Sequence, residues 1–167
     1  KDFDLERLRG IGTIIGCNAL YREFTPDLLI TIDMKMMREV KKAKYKGTII
    51  IPRGRTVNVP EALIWNTTKF NTSGAYGMKL IGEKIKATKC YMLGMDGFAG
   101  NMYDVTLNYS AQTLINFKGI VSRYLNTLQE NKETTYINVN SKDGWPIECH
   151  QMDNYQFMTY GEFNARV

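Results

Sequence analysis

The amino-acid sequence predicts an α/β fold, a mostly parallel sheet of about five or more strands with helices on both faces. Three observations carry this reading. Short apolar runs, several of them rich in β-branched residues, recur at residues 13–15, 28–32, 48–51, 90–94 and 135–139, and each is brief enough to be a buried strand. Between several of them lie stretches with apolar residues at helical spacing, and the connections are short, the alternation that builds parallel sheets. Several runs also end on polar residues or glycine, as strands do where they open onto a ligand edge.

At 167 residues and 19.2 kDa the chain suits one domain, residues 1–167, with room for a real core. Its 44% hydrophobic and 23% charged content is that of an ordinary globular protein, so disorder is not expected. The formal charge of +5 favours phosphate-bearing partners and keeps nucleic acid among them. No apolar run approaches the roughly 20 residues of a membrane span, so no membrane partner is expected, and no signal-peptide pattern opens the chain. Cys17, Cys90 and Cys149 are far apart and form no C-x-x-C pair. Reduced thiols are therefore expected, without a disulfide framework or structural metal, and the compartment expected is the cytoplasm.

Taken in order, Phe3, Leu5 and Leu8 lie among charges in a short lead-in helix stopped by Gly10. The first strand, residues 13–15, breaks at Gly16 into a polar turn, Cys17-Asn18. The second, 28–32, ends on Asp33. Residues 34–44 place Met37 and Val40 on one side and Lys35, Arg38, Lys41 and Lys42 on the others, an amphipathic helix with a basic face. A third strand, 48–51, is ended by Pro52, and residues 62–65 suit a short strand. Ala75, Met78, Ile81 and Ile85 define a helix capped by Thr72 or Ser73, followed by a strand at 90–94. A long helix spans 111–129, a fifth strand 135–139, and the tail from Ser141 has an ambiguous pattern. No repeat or linker interrupts this order.

The polar residues at these boundaries are the candidate site. Gly16, Cys17 and Asn18 follow the first strand, and Asp33 follows the second. Arg53 and Arg55 follow the third with planar, paired donors suited to phosphate or carboxylate. Asn71, Thr72, Ser73 and Gly74 open a helix whose free backbone donors favour an anion. Asp96 follows the fourth strand, and the glycine-rich stretch after it carries Tyr103. Asp33 and Asp96 could serve as base, as ribose ligands, or as holders of a divalent metal.

Several chemistries are disfavoured. His150 is the chain's only histidine, so a Ser-His-Asp triad or a multi-histidine metal site rests on one residue. There is no G-x-x-x-x-G-K-[ST] and no G-x-G-x-x-G, which argues against P-loop phosphoryl transfer and dinucleotide-dependent redox chemistry.

The succession TIIGCNALYREFTPDLLITID, NTSGAYGMKLIGEKI and CYMLGMD resembles the Rossmann-like group that includes bacterial lipooligosaccharide sialyltransferases and archaeal-type 6-hydroxymethyl-dihydropterin pyrophosphokinases. It covers roughly residues 5–104, and the small size resembles a phage-encoded member, which would act in the host cytoplasm. The resemblance implies a Rossmann-like three-layer sandwich. It also implies a nucleotide held by Gly16 and Asn18, a donor contacted by Thr72, Ser73 and Gly74, and a donor phosphate near Tyr103. Where the sialyltransferases carry their catalytic histidine this chain has Asn108-Tyr109. In the pyrophosphokinases acidic residues at strand ends hold magnesium, and Asp33 and Asp96 resemble these.

The function expected is a nucleotide- or nucleotide-sugar-binding transferase, with glycosyl transfer in first place and phage DNA as one acceptor class. Asp33 and Asp96 are the expected catalytic groups. Two alternatives stay open: a binding protein that sequesters a nucleotide, and Mg²⁺-dependent pyrophosphoryl transfer. The cofactor, Mg²⁺ or none, and the oligomeric state are left open.

Overall fold

The computed structural model describes residues 3–53, 59–65, 72–95 and 117–167. Two compact units divide the chain, Lys1–Ser73 with Val167, and Gly74–Arg166.

The first unit holds a four-stranded parallel sheet in the order β1-β2-β3-β4, with β1 Ile15–Cys17, β2 Leu28–Ile30, β3 Thr48–Ile51 and β4 Leu63–Ile64. Leu29, Ile30, Ile50 and Ile51 are all buried, the near-continuous apolar run of a parallel strand covered on both faces. Helix α1, Met34–Lys42, begins where the Asp33 carboxylate accepts from the Lys35 amide at 2.8 Å. It buries Met37 and Val40 against Leu29, Ile49 and Ile51. It ends in a Schellman arrangement, the Lys44 amide on the Lys41 carbonyl and the Tyr45 amide on the Val40 carbonyl. Lys44 takes the left-handed conformation there, at φ 52°, a place usually given to glycine.

The lead-in helix is a single 3-10 turn, Leu5–Leu8, and Gly10 follows it at φ 81°. The first strand corrects the sequence reading. It is shifted to Ile15–Cys17, so Gly16 lies inside it and the turn begins one residue later, in a 3-10 helix Asn18–Arg22. Packing explains the glycine: a Cβ there would stand 2.7 Å from Pro26 Cγ and 2.9 Å from Leu20 Cδ2.

The second unit holds a three-stranded parallel sheet, β5-β6-β7, with β5 Lys89–Leu93, β6 Thr135–Asn140 and β7 Tyr155–Thr159. Helix α2, Ser73–Leu80, runs into a π turn at Ile81–Ile85 and stops at left-handed Lys86. Helix α3, Phe117–Glu130, packs Ile120, Tyr124 and Leu128 with Met78, Met92 and Tyr136. Short helices α4, Ile147–His150, and α5, Tyr160–Asn164, complete the unit, the latter started by a capping box between Thr159 and Glu162. Buried Asn154 donates to the carbonyls of Leu128, Asn131 and Thr134, tying the end of α3 to the approach to β6.

Among the described residues the parallel strands thus form sheets of four and three rather than one sheet of five or more. Apolar runs reveal which segments are strands, but not which strands share a ladder. No helix of the described residues is long and apolar enough to cross a membrane.

Candidate functional site

The carboxyl edge of the first unit's sheet gathers the polar residues of the opening stretch. Cys17 pairs with Ile30 in the β1–β2 ladder, so Asn18 and Thr31 are the next residues along the two strands. Asn18 holds a left-handed backbone at φ 52°. Asparagine tolerates that region better than most residues, and such conformations collect at functional turns. Its side-chain carbonyl accepts a 2.8 Å hydrogen bond from the hydroxyl of Ser73, 55 residues away. The half-buried Asn18 therefore keeps its amide NH₂ as a donor, with no partner among the described residues.

Ser73 is itself buried, and it is both the first residue of α2 and the last of the first unit. Two segments singled out as separate motifs, the turn after β1 and the start of α2, are thereby joined by one hydrogen bond. Thr72 stands half-buried just before it. Cys17 ends β1 with a thiol that desolvation pushes up to about 12, so at neutral pH it is a protonated, weakly reactive group. Thr31 adds a fully buried hydroxyl with no partner among the described residues, a feature that nothing in its sequence context announced.

The other expected site residues have different surroundings. Asp33 spends a carboxylate oxygen on capping α1. Arg53 is exposed in the turn after β3. Gly74 belongs to the second unit, where a Cβ would stand 2.8 Å from Met95 Cε and 3.0 Å from the Tyr124 hydroxyl, so close packing accounts for the glycine. Arg55, Asn71, Asp96 and Tyr103 lie outside the described residues. Among the described residues no three His, Cys, Asp or Glu side chains are grouped as a metal ion requires.

The second unit contains a polar cluster that sequence reasoning missed. Asp143 Oδ1 accepts from the Trp145 amide at 3.2 Å and the Tyr155 hydroxyl at 3.0 Å, while Asn138 Nδ2 stands 3.5 Å away. Its other oxygen lies 3.5 Å from His150 Nε2, which also faces the Trp145 carbonyl at 3.3 Å. Trp145 stacks on Tyr155 and donates its indole N–H to the Met95 carbonyl. The carboxylate thus organises the segment between β6 and α4, and the chain's only histidine joins it as an aromatic neighbour of Tyr155. Burial raises the Tyr155 hydroxyl well above its ordinary value, and hydrogen bonding to Asp143 adds to this, so it remains a donor. The sole sequence signal was an aspartate two residues before a tryptophan.

No protein-family model, curated protein or solved structure matches the chain. Fold and geometry define the class on their own: an α/β protein of parallel sheets, with an asparagine–serine pair at the carboxyl edge of one of them.

Proposed function

We propose that the chain is a nucleotide- or nucleotide-sugar-binding transferase of Rossmann-like, three-layer design, acting in glycosyl transfer. The observation that carries this is the Ser73–Asn18 hydrogen bond. It holds a second polar side chain of the same unit at the carboxyl end of a parallel strand, the edge at which α/β proteins bind their ligands. In this reading the Asn18 amide N–H and nearby backbone donors hold the nucleotide, and Gly16 lets Pro26 and Leu20 pack closely against β1. An acceptor hydroxyl attacks the sugar's anomeric carbon. The bond from that carbon to the phosphate oxygen breaks, with its electron pair leaving on the phosphate. The hydroxyl proton passes to a carboxylate, for which Asp33 and Asp96 are the two groups the sequence offers. Arg53, with Arg55, receives the leaving phosphate by paired donors.

The test is a thermal-shift screen of nucleoside mono- and diphosphates and nucleotide-sugars, with and without Mg²⁺, since a ligand of the folded state raises Tm by mass action. A nucleotide that raises Tm for the native chain and not for Ser73→Ala or Asn18→Ala supports the reading. No response across the panel, or one that both substitutions leave intact, overturns it. Binding without release of free nucleotide over hours, for any acceptor offered, would convert the transferase into a sequestering protein.

A further inference from the structure

We infer that the outer face of α1 is a docking surface for the phosphodiester backbone of a nucleic acid. Lys35, Arg38, Lys41, Lys42, Lys44 and Lys46 are all exposed, and none forms an ion pair with a described residue. The one acidic side chain between residues 34 and 46 is Glu39, and it is occupied: Arg22 grips it at 2.6 and 2.7 Å and the Tyr21 hydroxyl donates to it at 2.6 Å. The cationic stripe is therefore uncompensated.

Helix geometry gathers the charges. At 100° per residue, Lys35, Arg38, Lys41 and Lys42 fall within about one third of the helix circumference. Met36, Met37 and Val40 occupy the opposite side and are fully buried. Like charges three and four apart on a helix repel, and Lys35 in the first turn also opposes the helix dipole. Lys41 and Lys42, in the last turn, complement that dipole. From Lys35 to Lys42 the stripe runs for about 10 Å, roughly three steps between phosphates at about 3.4 Å along the duplex axis, which brings about four phosphates of one strand within its length.

The same burial selects nucleic acid over a lipid surface. A helix that lies on a membrane needs an apolar face free to enter the lipid. In α1 that face is committed to the core, and no large apolar side chain between residues 35 and 48 is exposed. What α1 presents is charge on a rigid scaffold, which recognises phosphates without reading bases. The surface uses none of Gly16, Cys17, Asn18 and Ser73, so it stands or falls independently of the transferase reading.

The experiment is fluorescence anisotropy of the full chain with a labelled 30-base-pair duplex of mixed sequence. Four phosphate contacts give a slope of about −3.6 in log K against log salt, and so a loss of about 150-fold between 50 and 200 mM salt. The variant Lys35→Ala/Arg38→Ala/Lys41→Ala/Lys42→Ala should flatten that slope and abolish measurable binding at 200 mM. Lys84→Ala/Lys89→Ala/Lys132→Ala/Lys142→Ala, which removes as much charge from exposed positions of the second unit, should leave the slope unchanged. If the α1 variant melts at assay temperature, its two halves, Lys35→Ala/Arg38→Ala and Lys41→Ala/Lys42→Ala, should each lower the slope by about 1.8. Equal losses from both quadruple variants would show a net-charge effect and overturn the proposal. So would no duplex binding at 50 mM salt, or binding to phosphatidylserine vesicles in its place.

Discussion

Replacing Asn18 separates what its side chain does from what its backbone endures. Both Asn18→Gly and Asn18→Ala remove the 2.8 Å bond from Ser73, whose buried hydroxyl is left without its acceptor, a loss of about 1 kcal/mol. The variants differ in what the left-handed backbone at φ 52° demands of them. Alanine meets a steric penalty of roughly 1–2 kcal/mol there, while glycine escapes it but loses about 0.5–1 kcal/mol more chain entropy on folding. Asn18→Ala should therefore be the less stable by about 0.5–1 kcal/mol. For a chain of this size that is a Tm lower by about 1–4 °C. Differential scanning calorimetry of the two proteins, with denaturant titrations to confirm equal m-values, measures the gap directly. An Asn18→Ala protein as stable as Asn18→Gly would refute a conformationally strained turn. If the turn is built for a ligand, nucleotide protection should vanish in both variants despite their different stabilities.

Two further outcomes follow from the first unit. Lys44→Gly should stabilise the fold by about 0.5–1 kcal/mol, because Lys44 closes the α1 Schellman motif at φ 52°, where glycine suffers no Cβ penalty and gives back only part of that gain in chain entropy; a lower Tm would contradict this. Glu39→Gln tests linkage. The hydrogen bonds from Arg22, and secondarily from Tyr21, hold the Glu39 carboxyl below its ordinary 4.5. Its contribution is then full above 4.5 and fades as pH falls through the lowered folded value. Urea titrations at neutral pH should find Glu39→Gln less stable by about 1 kcal/mol, a value set by its solvent-accessible position. The difference should shrink steadily in acid, and an unchanged difference at pH 3 would rule the linkage out.

Much of the architecture was legible because the core dictates it. Strand β3 has the bounds its apolar run predicts, ended at Pro52, and α1 begins at Met34 as its pattern predicts and ends two residues short of the expected Lys44. The first strand starts two residues later than its apolar run suggests, because Gly16, a breaker by composition, lies within the strand with Pro26 and Leu20 closed against it. Strand β7 was hidden in the tail, where Tyr155–Thr159 mixes aromatic and polar residues and buries only Tyr155 and Met158.

The candidate site was legible in parts and opaque in its joining. Asn18 and Ser73 could be picked out because polar residues at strand ends and helix starts are where ligands bind. Their contact, a matter of tertiary structure, has no local signature. Asp33 shows the converse ambiguity, since a helix cap and a catalytic carboxylate look alike in a sequence. Asp143 has no local signature, because a lone aspartate in a polar stretch has no periodicity to mark it.

The division of the chain has a practical consequence for watching it unfold. Its two tryptophans fall one to each unit, Trp65 in the first and Trp145 in the second, and both are buried. Each unit therefore carries its own intrinsic fluorophore. Trp65→Phe leaves emission only from the second unit, and Trp145→Phe only from the first. Superimposable denaturation curves from the two single-tryptophan proteins would define one cooperative block, and separated midpoints would give each unit a stability of its own.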